Sequence, residues 1–99
     1  MLLAIDCGNT NVVFSVFDSD ILIVRWRSST NVDKTSDDYS IWLEQLLQRE
    51  KIKLNDINYV IISSVVPNKN ETLRRLCISL FKIDPSFVGS PEINTNLSI

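Results

Sequence analysis

The stretch Ala4-Ile5-Asp6-Cys7-Gly8-Asn9-Thr10-Asn11 gathers, at the end of an apolar run, groups able to bind cations and oxyanions. Asp6 sets a carboxylate at the close of a strand-like segment, where desolvating a charge is costly unless a partner answers it, and a bound Mg²⁺ is one such partner. Gly8 lets the backbone approach a ligand closely. Successive N–H groups, joined by the Thr10 hydroxyl and the Asn9 and Asn11 amides, could then surround phosphate oxygens. The same residues admit a plainer reading, in which Gly8-Asn9 makes a tight hairpin turn with φ > 0 and Asp6 accepts hydrogen bonds from it.

The elements that must hold this loop can be read from periodicity. Leu2–Ile5 and Val12–Phe17 are β-compatible runs on either side of it. A second turn at Asp18-Ser19-Asp20 leads into Ile21–Arg27, where Leu22, Val24 and Trp26 alternate with Ile23, Arg25 and Arg27 as in a strand with one buried face. After a polar loop from Ser28 to Lys34, Thr35 is the expected N-cap of a helix, with Asp37 and Asp38 at the positive end of its dipole. Tyr39, Trp42, Leu43, Leu46 and Leu47 form its apolar stripe, which ends near Glu50. Tyr59–Ile62 reads as a buried strand running out at Ser63-Ser64-Val65-Val66-Pro67. Asn68 with Glu71 is the expected cap of a second helix, whose stripe is Leu73, Leu76, Cys77, Leu80 and Phe81. Ser86–Gly89 is a short last strand, and Ser90–Ile99 has turn-type composition. The predicted order is βββαβαβ.

Other candidates weigh less. Ser63 and Ser64 end a central strand, where α/β sheets place ligands, although their hydroxyls equally suit backbone groups at the strand's exit. Asp37 and Asp38 read as dipole partners rather than a catalytic pair, and Trp26 and Trp42 as core residues rather than interface anchors. Cys7 lacks a base nearby in sequence, so its backbone N–H matters more than its thiol, and Cys77 reads as a core residue.

Composition narrows the class. The chain has 99 residues, enough for one small domain, with 44% hydrophobic and 22% charged residues, as in an ordinary globule. A net charge of −2 with scattered basic residues argues against a nucleic-acid grip, and the apolar N-terminus is too short to span a bilayer. We therefore expect a cytoplasmic protein that engages neither nucleic acid nor membrane. The absence of His removes Ser-His and Cys-His nucleophilic chemistry.

Asp6-x-Gly8-Asn9-Thr10-Asn11 after an N-terminal strand resembles the first phosphate motif of the acetate and sugar kinase, heat-shock chaperone and actin superfamily. Within it, Asn after the Gly looks most like type III pantothenate kinases. Thr35-Ser-Asp-Asp-Tyr39 is similar to that family's Thr-x-Asp-Glu segment, and Ile62-Ser-Ser-Val-Val-Pro67 to its strand-end signature. The resemblance runs from Met1 to about Pro91. It implies an α/β fold, the ribonuclease-H-like half of an actin-like ATPase with a mixed sheet, so that residues 1–99 form the N-terminal domain of a longer two-domain kinase.

The implied reaction is ATP-dependent phosphorylation of pantothenate to 4′-phosphopantothenate, the first step of coenzyme A biosynthesis. By the same resemblance Asp6 holds Mg²⁺ through water, while Asp6, Cys7, Gly8, Asn9, Thr10, Asn11, Val12 and Val13 line the ATP phosphates and Ser63 and Ser64 lie near phosphate or substrate. It also implies a monovalent cation, K⁺ or NH₄⁺, and a homodimer. The catalytic base in a Gly-x-Asp-Arg motif and the pantothenate contacts are expected beyond residue 99, so the 99-residue segment alone is expected to be inactive. A non-catalytic nucleotide-binding relative of the same fold is the alternative, and a structural interaction domain is a third class.

Overall fold

The computed structural model describes residues 1–31 and 33–88. The expected strand at Ser86–Gly89 is present over Ser86–Val88, and the remaining expectations for Gly89–Ile99 lie outside the described residues.

Three strands open the chain, β1 (Leu2–Cys7), β2 (Asn11–Asp18) and β3 (Ile21–Ser29). Helix α1 (Ser36–Arg49), a 3₁₀ turn at Leu54–Asp56, β4 (Tyr59–Ser64), α2 (Pro67–Phe81) and β5 (Ser86–Val88) follow. The five strands form one mixed sheet in the order β3-β2-β1-β4-β5. β1 is central. It pairs antiparallel with β2, Asp6 opposite Val13, and parallel with β4, Asp6 opposite Ser63.

Alternation along the strands sorts the two faces. Leu3, Ile5 and Cys7 of β1, Val12, Phe14 and Val16 of β2, and Val60 and Ile62 of β4 are buried. They pack against Tyr39, Leu43 and Leu47 of α1 and Leu73, Leu76, Cys77 and Phe81 of α2 in one core. Both predicted helical stripes therefore face the same side of the sheet, although Trp42, Leu46 and Leu80 are only partly buried. Phe14 is the hub, its ring centroid 5.3 Å from Trp42 in edge-on contact and 6.0 Å from Tyr39. Lys34 closes this cluster from outside, with Nζ 4.8 Å from the Trp42 centroid and donating to Ser28 Oγ at 3.0 Å.

Three local expectations are corrected. β4 is not buried on both faces: Val60 and Ile62 face the helices, whereas Tyr59 on the opposite side is 52% exposed. Its continuous β-branched run disguised an alternating environment. At the open end of β3, Ile21, Leu22 and Ile23 are exposed, because a bulge between Val16 and Phe17 leaves Ile23 unpaired and breaks the alternation. The second helix is not capped by Asn68. It begins two residues earlier, at Pro67 after an N-cap Val66 without a side-chain bond, since Pro at the first position has the right φ and no N–H to satisfy. Glu71 instead meets Arg75 at 3.1 Å on the surface.

The first helix starts as expected. Asp38 N–H donates to Thr35 Oγ1 at 3.1 Å and Thr35 N–H to an Asp38 carboxylate oxygen at 3.0 Å, a reciprocal capping box. Those bonds from Thr35 hold the Asp38 carboxyl below its ordinary pKa. A carboxyl with a lowered folded-state pKa contributes stability above its unfolded value, near 4, and loses it as pH falls through the folded one. The thermal midpoint of Asp38→Ala should therefore fall short of wild type most at neutral pH, with the gap closing below about pH 4. A gap of constant size from pH 7 to pH 3 would show that the carboxylate charge contributes nothing. Phe14→Ala should cost about 3–5 kcal/mol in urea unfolding, a large share of the roughly 5–15 kcal/mol a domain of this kind possesses.

Candidate functional site

Because both helices lie against one face, the residues between the core positions point to the other. Asp6 is exposed there, one residue before the carboxyl end of the central strand. Asp6 is therefore not buried, contrary to the expectation from sequence: its side chain faces solvent, and its potential to bind a cation rests on position rather than on desolvation. Pairing extends this position into a row across the sheet. Arg27 lies opposite Val13, Val13 opposite Asp6, Asp6 opposite Ser63 and Ser63 opposite Val88. The next row carries Arg25, Ser15 and Ala4, with Arg25 Nε donating to Ser15 Oγ at 3.1 Å. The two rows line an open depression of about 530 Å³.

The loop after β1 borders the same region. Gly8 N–H donates to Asn11 O at 2.9 Å, leaving Asn9 and Thr10 at the tip with exposed side chains. The expected turn with φ > 0 is absent. Gly8 is not left-handed, and neither Asn9 nor Thr10 is among the residues with positive φ. A Cβ built on Gly8 would meet only Asn11 O, at an ordinary 3.4 Å. The backbone conformation therefore does not require glycine here. Thr30 holds that loop from the end of β3: its hydroxyl donates to Gly8 O at 2.8 Å and its N–H to Thr10 O at 2.9 Å.

The remaining candidates divide between the two faces. Cys7 and Val12 are completely buried on the helix side, so only their backbone groups can meet a ligand, whereas Val13 sits on the open face. Burial pushes the Cys7 thiol up, with the nearby Ser64 hydroxyl offsetting part of the effect, and pushes Cys77 up to about 12. Both stay protonated at neutral pH and both are free. Ser63 and Ser64 part company. Ser63 joins Asp6 on the open face, while Ser64 turns toward the helices and accepts from Val66 N–H at 3.1 Å, shaping the exit of β4 into α2.

Sequence reasoning singled out neither Thr30 nor the Arg25/Arg27 pair as neighbours of the loop. The alternation in β3 put both arginines opposite Trp26, but nothing local said which strand β3 joins. Among the described residues no three Cys, Asp or Glu side chains converge as a metal cage. Asp6 by itself fits a more modest role, one carboxylate toward a Mg²⁺ that keeps water and takes its other oxygens from phosphate. No helix among the described residues is long and apolar enough to cross a membrane.

Known proteins agree with this architecture. A crystal structure of a Porphyromonas gingivalis protein assigned as an N-acetylglucosamine kinase superposes with a TM-score of 0.59 over 89% of this chain and 33% of its own, at 19% identity, a likeness of fold. The chain is 48% identical over all 99 residues to a type III pantothenate kinase of Paramagnetospirillum magneticum and 44% identical to that of Rhodospirillum rubrum. It is also 43% identical to that of Bacillus cytotoxicus. In these alignments it spans 37–38% of the relatives' own length. The family model for type III pantothenate kinases matches residues 2–99, and the chain belongs to that family.

Proposed function

We propose that residues 1–99 are the N-terminal, phosphate-binding domain of a longer two-domain kinase. The proposed reaction is transfer of a phosphoryl group from ATP to pantothenate, giving 4′-phosphopantothenate in the first step of coenzyme A biosynthesis. The observation that carries this reading is Asp6: an exposed carboxylate near the carboxyl end of the central strand, beside a loop whose tip residues Asn9 and Thr10 are exposed. Carboxyl ends of sheet strands are where α/β folds bind ligands.

In this reading the backbone from Cys7 to Val13 and the side chains of Asn9, Thr10 and Asn11 receive the ATP phosphates, and Ser63 stands near the phosphate or the acceptor. Ser64 serves the same end indirectly, by shaping the end of β4. Asp6 holds Mg²⁺ through water, and the ion, when bound, neutralises charge on the phosphate oxygens. Phosphoryl transfer asks the protein mainly for position and charge, which a tethered loop and one carboxylate can supply. The base, the pantothenate contacts and a monovalent cation, K⁺ or NH₄⁺, belong in this proposal to the rest of a cytoplasmic homodimer.

The test is a coupled assay of the full-length protein with ATP, Mg²⁺, K⁺ and pantothenate. Asp6→Asn should lower turnover on the order of 10²-fold or more, and the 99-residue segment should give none above a blank. Folded full-length protein that binds nucleotide but shows no pantothenate-dependent turnover would instead favour a non-catalytic nucleotide-binding relative. Gly8→Ala separates the loop's two readings. Its thermal midpoint should stay at the wild-type value, since the new methyl meets only ordinary contact, while ATP affinity drops by about tenfold, roughly 1.4 kcal/mol. Unchanged affinity would reduce the loop to a connector.

A further inference from the structure

On the open face the charged groups lining the depression are Asp6, Arg25 and Arg27, two cations and one anion. Arg25 is engaged by Ser15. Arg27 is exposed and, among the described residues, has neither an ion pair nor a side-chain hydrogen bond. It stands in the row of Asp6, two strands away across Val13, a separation of roughly 10 Å at ordinary strand spacing. β3 runs in the same direction as β1, since each is antiparallel to β2, so Arg27 and Asp6 both lie toward the carboxyl ends of their strands. The half-buried Val13 between them is small and brings no charge.

A guanidinium and a carboxylate on one face, lining the same depression on either side of Val13, suit a group that needs both at once. The guanidinium offers a planar fork matched to phosphate oxygens, and the carboxylate holds the cation that accompanies them. Protecting an edge strand from pairing would also account for a charge on β3, but that role is indifferent to what lies across the sheet. We infer that Arg27 binds the terminal phosphoryl group of ATP, opposite Asp6, and so distinguishes ATP from ADP. The inference rests on the nucleotide-binding reading above and adds to it a named residue and a named phosphate.

Binding separates the two. Affinities of full-length wild type, Arg27→Gln and Arg27→Lys are measured by calorimetry in Mg²⁺ for ADP and for the non-hydrolysable imido analogue of ATP. Thermal midpoints of all three proteins are measured alongside. Arg27→Gln should weaken the ATP analogue about tenfold or more and leave ADP within about twofold, one phosphate contact being worth roughly 1.4 kcal/mol at that ratio. Arg27→Lys should recover part of the loss, as a point charge replaces a fork. Wild type that binds neither nucleotide would overturn the nucleotide reading itself. Wild type that binds both, with Arg27→Gln weakening both equally or neither, would overturn only the role of Arg27. So would a rise in KM for the acid acceptor with the ATP-to-ADP preference intact.

Discussion

Burial of Leu3, Ile5 and Cys7 against the two helices sets the phase of the central strand, and the site depends on that phase. Side chains of a strand alternate, so fixing three on the helix side obliges Asp6 to face the other way. A slip of one residue would bury Asp6 and expose its apolar neighbours. The phase is doubly held, because β1 has hydrogen-bonded partners on both edges, antiparallel on one and parallel on the other. From this one constraint follow the exposure of the carboxylate, its alignment with Ser63 and the position of the loop that leaves β1 at Cys7.

The loop is fixed by partners from elsewhere in the chain rather than by its own backbone. Gly8-Asn9 has the composition of a turn with positive φ, yet no residue there is left-handed. Thr30 supplies what the turn does not, with two hydrogen bonds to carbonyl groups on either side of Asn9. Those bonds occupy backbone carbonyls and leave the side chains of Asn9 and Thr10 exposed at the tip. Left-handed backbone occurs instead at Ser19, Lys51 and Lys82, all away from the site.

The same core governs the surroundings of the thiols and the start of α1. Phe14 brings β2 against Tyr39 and Trp42, and Lys34 lies over both rings as the chain enters the helix. The Thr35-Ser-Asp-Asp-Tyr39 segment is therefore a structural joint: Thr35 and Asp38 cap each other while Tyr39 reaches the core. Ser64 plays a comparable part at the other helix, where its hydroxyl serves the backbone of Val66. Neither segment needs chemistry of its own to explain why those residues stand where they do.

Local pattern determined much of this protein. Periods of 2 and 3.6 residues carried the order βββαβαβ, the stripes of both helices and the Thr35 cap, because each depends on neighbours a few residues apart. The Asp6–Asn11 group was legible for the same reason, as a cluster within one turn of chain. What the sequence left open was everything set between distant segments: that both helices cover one face, that Thr30 ties down Gly8, that Ser64 turns inward while Ser63 does not, and that Arg27 shares a row with Asp6. Pairing of β1 with β4 brings together residues 57 positions apart, and its register is chosen by burial of the whole core, which no single segment encodes.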